Sequence, residues 1–148
     1  MYRVAYHALK NRADAEDVMQ TALLRLLECK TDFESDEHIR RWLIRVTVNE
    51  ARKVLRTPWR KRVLPLEEAR DAPVFDAPEE RELFSAVMAL PRSYRMAVYL
   101  FYYENLSTEE IAAAMSAKPV TVRSWLMRAR RKLRQQLTEE PETASEEV

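Results

Sequence analysis

STEEIAAAMSAKPVTVRSWLMRARRKLR, residues 107–134, is the stretch that decides the fold. Ser107 and Glu110 have the spacing of a capping box, in which the hydroxyl takes a free helical N–H and the carboxylate reaches back to the cap residue. They predict a short helix through Ile111 to Met115. Pro119 suits the first position of a second helix, where its missing N–H costs nothing. Val122, Leu126, Ala129, Leu133 and Leu137 then form a buried stripe at helical spacing. A capped short helix, a tight turn and a longer basic helix make a helix-turn-helix. The second helix of such a unit enters the DNA major groove by its first turns. Opposite the stripe stand Ser124, Met127, Arg128 and Arg131, flanked by Thr121, Arg123, Arg130 and Arg134. Arginine grips guanine edges through paired donors, or holds phosphates. The plain alternative is a solvated basic helix end, which the helix dipole also favours.

Working outward, two more helices are predicted before it. Glu79 to Leu90 carries Leu83, Val87 and Leu90, and Pro91 stops it; Arg92 to Tyr103 carries Tyr94, Val98, Phe101 and Tyr102. Residues 57–78 contain Pro58, Pro65, Pro73 and Pro78 and read as a flexible linker, opened by Trp59 with Arg60, Lys61 and Arg62. Upstream, a short helix fits Tyr2 to Leu9. Asp14 caps the next, which runs to about Glu28 with Ala15, Val18, Met19, Ala22, Leu23, Leu26 and Leu27 inside. A polar loop from Lys30 to Glu37 holds Phe33. A long helix follows, from about Asp36 to Arg56, with Ile39, Trp42, Leu43, Val46 and Val54 as its buried stripe. The tail after Thr138 is acidic, contains Pro141 and reads as unstructured.

The expected fold is therefore all-α: two small helical domains, 1–56 and 79–137, joined by a flexible linker, the second holding the helix-turn-helix. Glycine is absent, so a glycine-rich phosphate loop is excluded. No signal peptide or membrane-spanning run is present, which predicts a cytoplasmic protein without membrane insertion. Cys29 with only His7 and His38 gives no zinc spacing, and no cofactor or metal is expected.

The net charge of +1 hides a pattern. Residues 1–62 hold 14 basic and 9 acidic side chains, and residues 92–137 hold 9 and 3. Residues 63–91 and 138–148 are each net acidic. Two basic blocks separated by acidic segments are the footprint of two surfaces that meet nucleic acid. In the first block Arg41, Arg45, Arg52 and Arg56 fall on one arc of the long helix, set opposite the apolar stripe. Alone such a row is an ordinary solvated face. Nearby Phe33, Trp42 and Trp59 offer stacking surfaces for unpaired bases, although each also suits a core. Leu24 lies out of phase, among Asp17, Gln20 and Thr21; it is either an unremarkable exposed leucine or a contact for a partner helix. The carboxylates are scattered and no nucleophile has a base beside it, so no enzyme is expected.

These residues resemble a known family. DAEDVMQTALLRLL (14–27), the Phe33 loop and RRWLIRVTVNEARKVLR (40–56) resemble region 2 of the extracytoplasmic-function sigma factors of bacterial RNA polymerase. The run from Ala89 to Leu137 resembles their region 4. The resemblance implies a non-catalytic factor that binds core polymerase and promoter DNA, with an anti-sigma factor as a further possible partner. It implies that Asp17, Gln20, Thr21 and Leu24 meet the polymerase clamp. Flipped bases of the -10 element would be captured by Phe33, Arg41, Arg45, Asn49 and Arg52. The -35 element would be read by Lys118, Thr121, Arg123, Ser124, Met127, Arg128 and Arg131.

Three departures stand out. The family begins with a further helix ahead of Tyr2, so the first domain is expected to be incomplete. Ser116 stands where the turn usually has glycine, which predicts a strained turn. Lys53 stands where many members carry an aspartate, which predicts a more basic DNA-facing helix. Two other classes compete: a stand-alone helix-turn-helix regulator, which would bind a symmetric operator without polymerase, and a protein-only adaptor, indifferent to Arg128 and Arg131.

Overall fold

The computed structural model describes the backbone of residues 1–57 and 77–145, and side chains as far as Thr138. Seven helices account for the described residues: α1 (Tyr2–Leu9), α2 (Arg12–Glu28), α3 (Asp36–Arg56), α4 (Pro78–Met88), α5 (Arg92–Tyr102), α6 (Thr108–Met115) and α7 (Pro119–Ser145). The linker assignment, with Trp59 and its basic neighbours, falls almost wholly outside the described residues.

Local chemistry sets the helix starts. Asn11 Oδ1 accepts the Asp14 N–H, so Asn11 caps α2, and Asp14, expected to be the cap, sits in the first turn. Ser35 caps α3 through the His38 N–H, and α4 starts on Pro78. The capping box of α6 forms as expected, with both Ser107–Glu110 bonds present. α7 continues to Ser145, beyond the expected end at Leu137. Its last residues include Glu139, Glu140, Glu142 and Ala144, all good helix formers, and they carry the helix past Pro141.

The first three helices pack as one bundle and α4 to α7 as a second, and the two bundles meet. α1 lies on α5, and α3 lies on α6. Val4, Leu9, Ile44 and Val48 from the first half share one continuous core with Met96, Leu100, Ile111, Val122 and Leu126 from the second. This contact explains α5. Arg95, Met96, Ala97, Val98, Tyr99 and Leu100 are buried in unbroken succession, because neighbours cover the helix from several sides.

Arg95 fastens the seam. Its side chain is 5% exposed. The last carbonyls of a helix have no partner within it and carry its negative dipole end. Arg95 fills that need twice. Nε donates to the His7 carbonyl at the end of α1, and Nη1 donates to the Met88 and Leu90 carbonyls at the end of α4 at 3.3 and 3.1 Å. Beside it His7 stacks on Tyr99, ring centres 4.0 Å apart. Burial drives the His7 pKa down to about 4, against the pull of its bond to the Arg3 carbonyl.

Several expected core positions shift. In α3 the deepest residues are Ile44, Thr47, Val48 and Ala51, while Ile39, Trp42, Leu43 and Val54 are half-buried. At about 100° per residue the buried face is turned roughly a third of the way round from the expected stripe. α3 is covered by α1 and α2 on one side and α6 on another, which no single-stripe reading anticipates. In α2 only Ala15, Val18 and Ala22 are fully buried, and Leu23 and Leu27 face outward. Leu83 of α4 and Tyr102 of α5 are likewise exposed.

Candidate nucleic-acid and polymerase interface

The helix-turn-helix is α6, the turn at Ser116–Lys118, and α7. Val122, Leu126 and Ala129 bury one side of α7, and Leu133 packs partly beneath them. The other side carries Lys118, Arg123, Met127, Arg128 and Arg131, all exposed, with Thr121 and Ser124 half-buried at its edge. The expected -35 set therefore converges on one surface. Arg123 reaches only to Glu109, at 4.0 Å. Among the described residues Arg128 and Arg131 carry no ion pair. Its own backbone N–H and the Thr108 hydroxyl hold the Glu109 carboxyl below its ordinary range. Arg130 is engaged elsewhere: it lies over the Phe101 and Tyr102 rings, and Nε donates to the Tyr102 hydroxyl at 2.7 Å. The turn is built on Ser116 at φ 53° and ψ 45°, the left-handed conformation that serine resists.

The basic row of α3 has a different setting. It borders the buried face instead of opposing it, and so it meets α6. Arg41 Nε lies 2.6 Å from Glu110 Oε2, an ionic approach rather than an aligned hydrogen bond, and 3.4 Å from Glu37. Arg52 donates to the Met115 carbonyl at the end of α6. Arg40 pairs with Glu104 at 2.8 Å and also donates to its backbone carbonyl. Arg45 is exposed and lines a cleft of about 230 Å³ with Arg41, Leu106, Glu109, Glu110, Ala113 and Ala114. Asn49 is half-buried. Phe33 folds back from its loop, edge-on to Trp42 at 5.7 Å and to His38 at 5.1 Å, so it braces the loop and is not a free wedge. Lys53 does not extend the basic row. It pairs with Glu50, which also binds Arg25 of α2, so its charge is answered within the helix pair.

On α2, Leu24 is 58% exposed, beside exposed Asp17 and Gln20 and half-buried Thr21, whose hydroxyl donates to the Asp17 carbonyl. Helical spacing places its neighbours Leu23 and Leu27 inside, and the folded chain leaves them outside. Leu23 is exposed and Leu27 is 82% exposed, so a cluster of leucines, not one, faces outward. No sequence signal marked them, because they continue the apolar spacing of the buried side.

Comparison with known proteins agrees with this geometry. Residues 1–61 match the family model "Sigma-70 region 2", and residues 80–133 match "Sigma-70, region 4". The chain is 31% identical over 141 residues to the RNA polymerase sigma factor SigV of Bacillus subtilis, covering 94% of this chain and 85% of that protein. It is 34% identical over 145 residues to the RNA polymerase sigma-E factor of Streptomyces coelicolor, covering 93% and 79%. It is 32% identical over 147 residues to the ECF RNA polymerase sigma factor SigE of Mycolicibacterium smegmatis, and spans 57% of that longer protein. In fold it is similar to the sigma factor RpoE of Bartonella quintana, solved in complex with the anti-sigma factor NepR: TM-score 0.74, 22% identity, covering 92% of this chain and 88% of that one. Two region models in order, on either side of residues 62–79, do not fit a stand-alone regulator. The chain belongs to the extracytoplasmic-function sigma factors, subunits that bind core RNA polymerase and direct transcription initiation at promoters.

Proposed function

We propose that three faces of this sigma factor divide its work. The exposed row of α7, with Lys118, Thr121, Arg123, Ser124, Met127, Arg128 and Arg131, reads the duplex -35 element. The row on α3, Arg41, Arg45, Asn49 and Arg52, with the loop braced by Phe33, captures unpaired bases of the -10 element. Asp17, Gln20, Thr21 and the leucines Leu23, Leu24 and Leu27 dock on the polymerase. Region 2 then corresponds to 1–56 and region 4 to 79–137. The chain supplies binding and strand capture and leaves the chemistry to the polymerase, in the cytoplasm. Among the described residues no helix is long and apolar enough to cross a membrane.

The observation that carries this reading is the exposed arginine row of α7 behind a capped α6, with Val122, Leu126 and Ala129 buried on the other side of the same helix. Base-edge pairs discriminate by about 1–3 kcal/mol each. Arg128→Ala in complex with core enzyme is expected to lose that much on a duplex carrying only the upstream element, and little on a fork with an unpaired -10 strand. Arg45→Ala is expected to do the reverse. Equal losses on both probes would reduce the arginines to diffuse charge. Leu24→Asp is expected to weaken capture by core polymerase while leaving the far-ultraviolet circular dichroism spectrum unchanged; unaltered capture would remove α2 from the interface.

A further inference from the structure

The loop before α3 is clasped by a residue that none of the three faces includes. Ser35 caps α3 by accepting the His38 N–H at 3.1 Å, and the His38 ring reaches back so that Nδ1 accepts the Glu34 N–H at 3.2 Å. This is the reciprocal logic of a capping box, with histidine in the glutamate's place and the return bond made one residue before the cap. The same ring meets Phe33 edge-on at 5.1 Å, and Phe33 meets Trp42 at 5.7 Å. One side chain therefore fixes two successive loop residues, Phe33 through its ring and Glu34 through its backbone. At the loop's other end Cys29 Sγ donates to the Thr31 hydroxyl at 3.1 Å and accepts the Thr31 N–H at 3.5 Å. Between these ties Thr31, Asp32 and Glu34 are exposed.

His38 also shares a side of α3 with the capture row. At about 100° per residue, His38, Arg41, Arg45, Asn49 and Arg52 fall within an arc of roughly 80°. The loop thus joins α3 at the head of that row. A loop that must be ordered on binding lowers affinity by the cost of ordering, and one fixed beforehand does not. A fixed loop also presents one shape, which an ill-fitting base cannot remould. We infer that His38 is a positioning residue for capture of the -10 strand: it holds the loop from Lys30 to Ser35 at the head of the α3 row, and the shape so fixed sets which unpaired base is accepted. This inference rests on the reading of α3 given above.

The test uses the full chain in complex with core polymerase. The probes are forks that carry each of the four bases in turn at one position of the unpaired -10 strand. His38→Phe keeps a ring against Phe33 and loses the acceptor for the Glu34 N–H. His38→Asn keeps an acceptor where Nδ1 stands and loses the ring. His38→Phe is expected to weaken the preferred fork roughly three- to tenfold and the others less, so the ratio between best and worst base shrinks. His38→Asn is expected to restore most of that ratio. Both variants should bind a duplex carrying only the -35 element as the parent does. A merely structural role would lower the melting temperature and weaken every fork by the same factor. An unchanged ratio in His38→Phe, an equal loss on every fork, or a His38→Asn protein no more selective than His38→Phe would overturn the inference. The underlying reading fails separately: if Arg45→Ala costs nothing on the same forks, α3 is not the capture face.

Discussion

The arginine rows of α3 and α7 look alike in sequence and differ in the folded chain. Each repeats arginine along one side of a long helix whose other side is apolar. On α7 the row stands clear: Arg128 and Arg131 are exposed, and Arg123 reaches a carboxylate only at 4.0 Å. On α3 the row runs along a seam, and Arg41 and Arg52 are held by α6. The difference lies in what packs beside each helix. α7 turns its buried side to α4, α5 and α6, and no described helix packs on its far side, whereas α3 is gripped on two sides. A basic stripe announces charge; its availability is decided by the neighbouring element.

The severest way to break the comparison is to cut the seam at Arg95. Arg95→Met fills similar space and leaves the carbonyls of His7, Met88 and Leu90 without their buried donor. Removing one partner from a buried charged network costs about 3–5 kcal/mol. Urea unfolding is expected to show a loss of that size, with the α3 row released as α1 leaves α5. A loss below about 1 kcal/mol would mean that Arg95 does not hold the halves.

His7 offers a gentler lever on the same seam. It is neutral in the folded chain, with a pKa of about 4, set first by burial and pressed further by Arg95 and Arg3 against the opposing pull of Glu104. Unfolded histidine titrates near 6.5. Above that value neither state binds the proton and stability is whole. As pH falls from there toward 4, the unfolded chain takes up a proton that the folded chain refuses, and stability declines. The expected loss at pH 5 is about 1–2 kcal/mol. His7→Phe keeps a ring against Tyr99 and removes the proton, so its melting temperature should fall less between pH 7 and pH 5. Identical pH profiles for the two proteins would assign the slope to other groups.

Salt sharpens the comparison at smaller cost. In the free chain, duplex binding through α7 should weaken steeply with ionic strength, because each neutralised phosphate releases counterions. Arg131→Ala is expected to lower the slope of log affinity against log salt by about one. Arg41→Ala is expected to leave it unchanged, since that guanidinium is already paired with Glu37 and Glu110. Equal changes in slope would show that both rows meet duplex DNA in the same way.

Much of this was legible in the sequence. The extents Tyr2–Leu9 and about Asp36–Arg56 match α1 and α3, although the buried side of α3 was misplaced, and the Ser107–Glu110 box with Pro119 marked the helix-turn-helix and its outward face. What was not legible depends on contacts between distant segments. Periodicity says which residues share a side of a helix, not which neighbour will cover it. Ile44 and Val48 are buried because α1 and α2 lie on that side, and Leu23 and Leu27 stay bare because nothing among the described residues lies on theirs. Arg95, inside the apolar run SYRMAVYLFYY (93–103), looked like an ordinary helix charge, and only the helix ends meeting around it reveal its role. Lys53 looked like added positive charge until Glu50 was found beside it.

The smallest expected effect lies in the turn that aims the open row. Ser116 sits at φ 53° and ψ 45°, where its Cβ crowds the backbone, and its N–H still bonds to the Ala112 carbonyl. The Ala117 N–H bonds to the same carbonyl at 2.9 Å, so the turn is fixed from both residues. For a residue other than glycine this conformation costs about 1–2 kcal/mol. Ser116→Gly removes that cost and adds freedom to the unfolded chain, which takes back part of the gain. The net expectation is a stabilisation of about 0.5–1 kcal/mol, read as a rise in melting temperature. The backbone geometry is unchanged, so α7 should meet a duplex -35 probe with the same affinity and salt slope. Ser116→Val should move stability the other way, since a β-branched residue is least tolerant of positive φ. If Ser116→Gly destabilises the chain, the serine side chain contributes a contact worth more than the strain it bears. If stability rises but duplex binding falls, a rigid turn is what keeps the α7 row aimed at DNA, and the two rows differ in mobility as well as in cover.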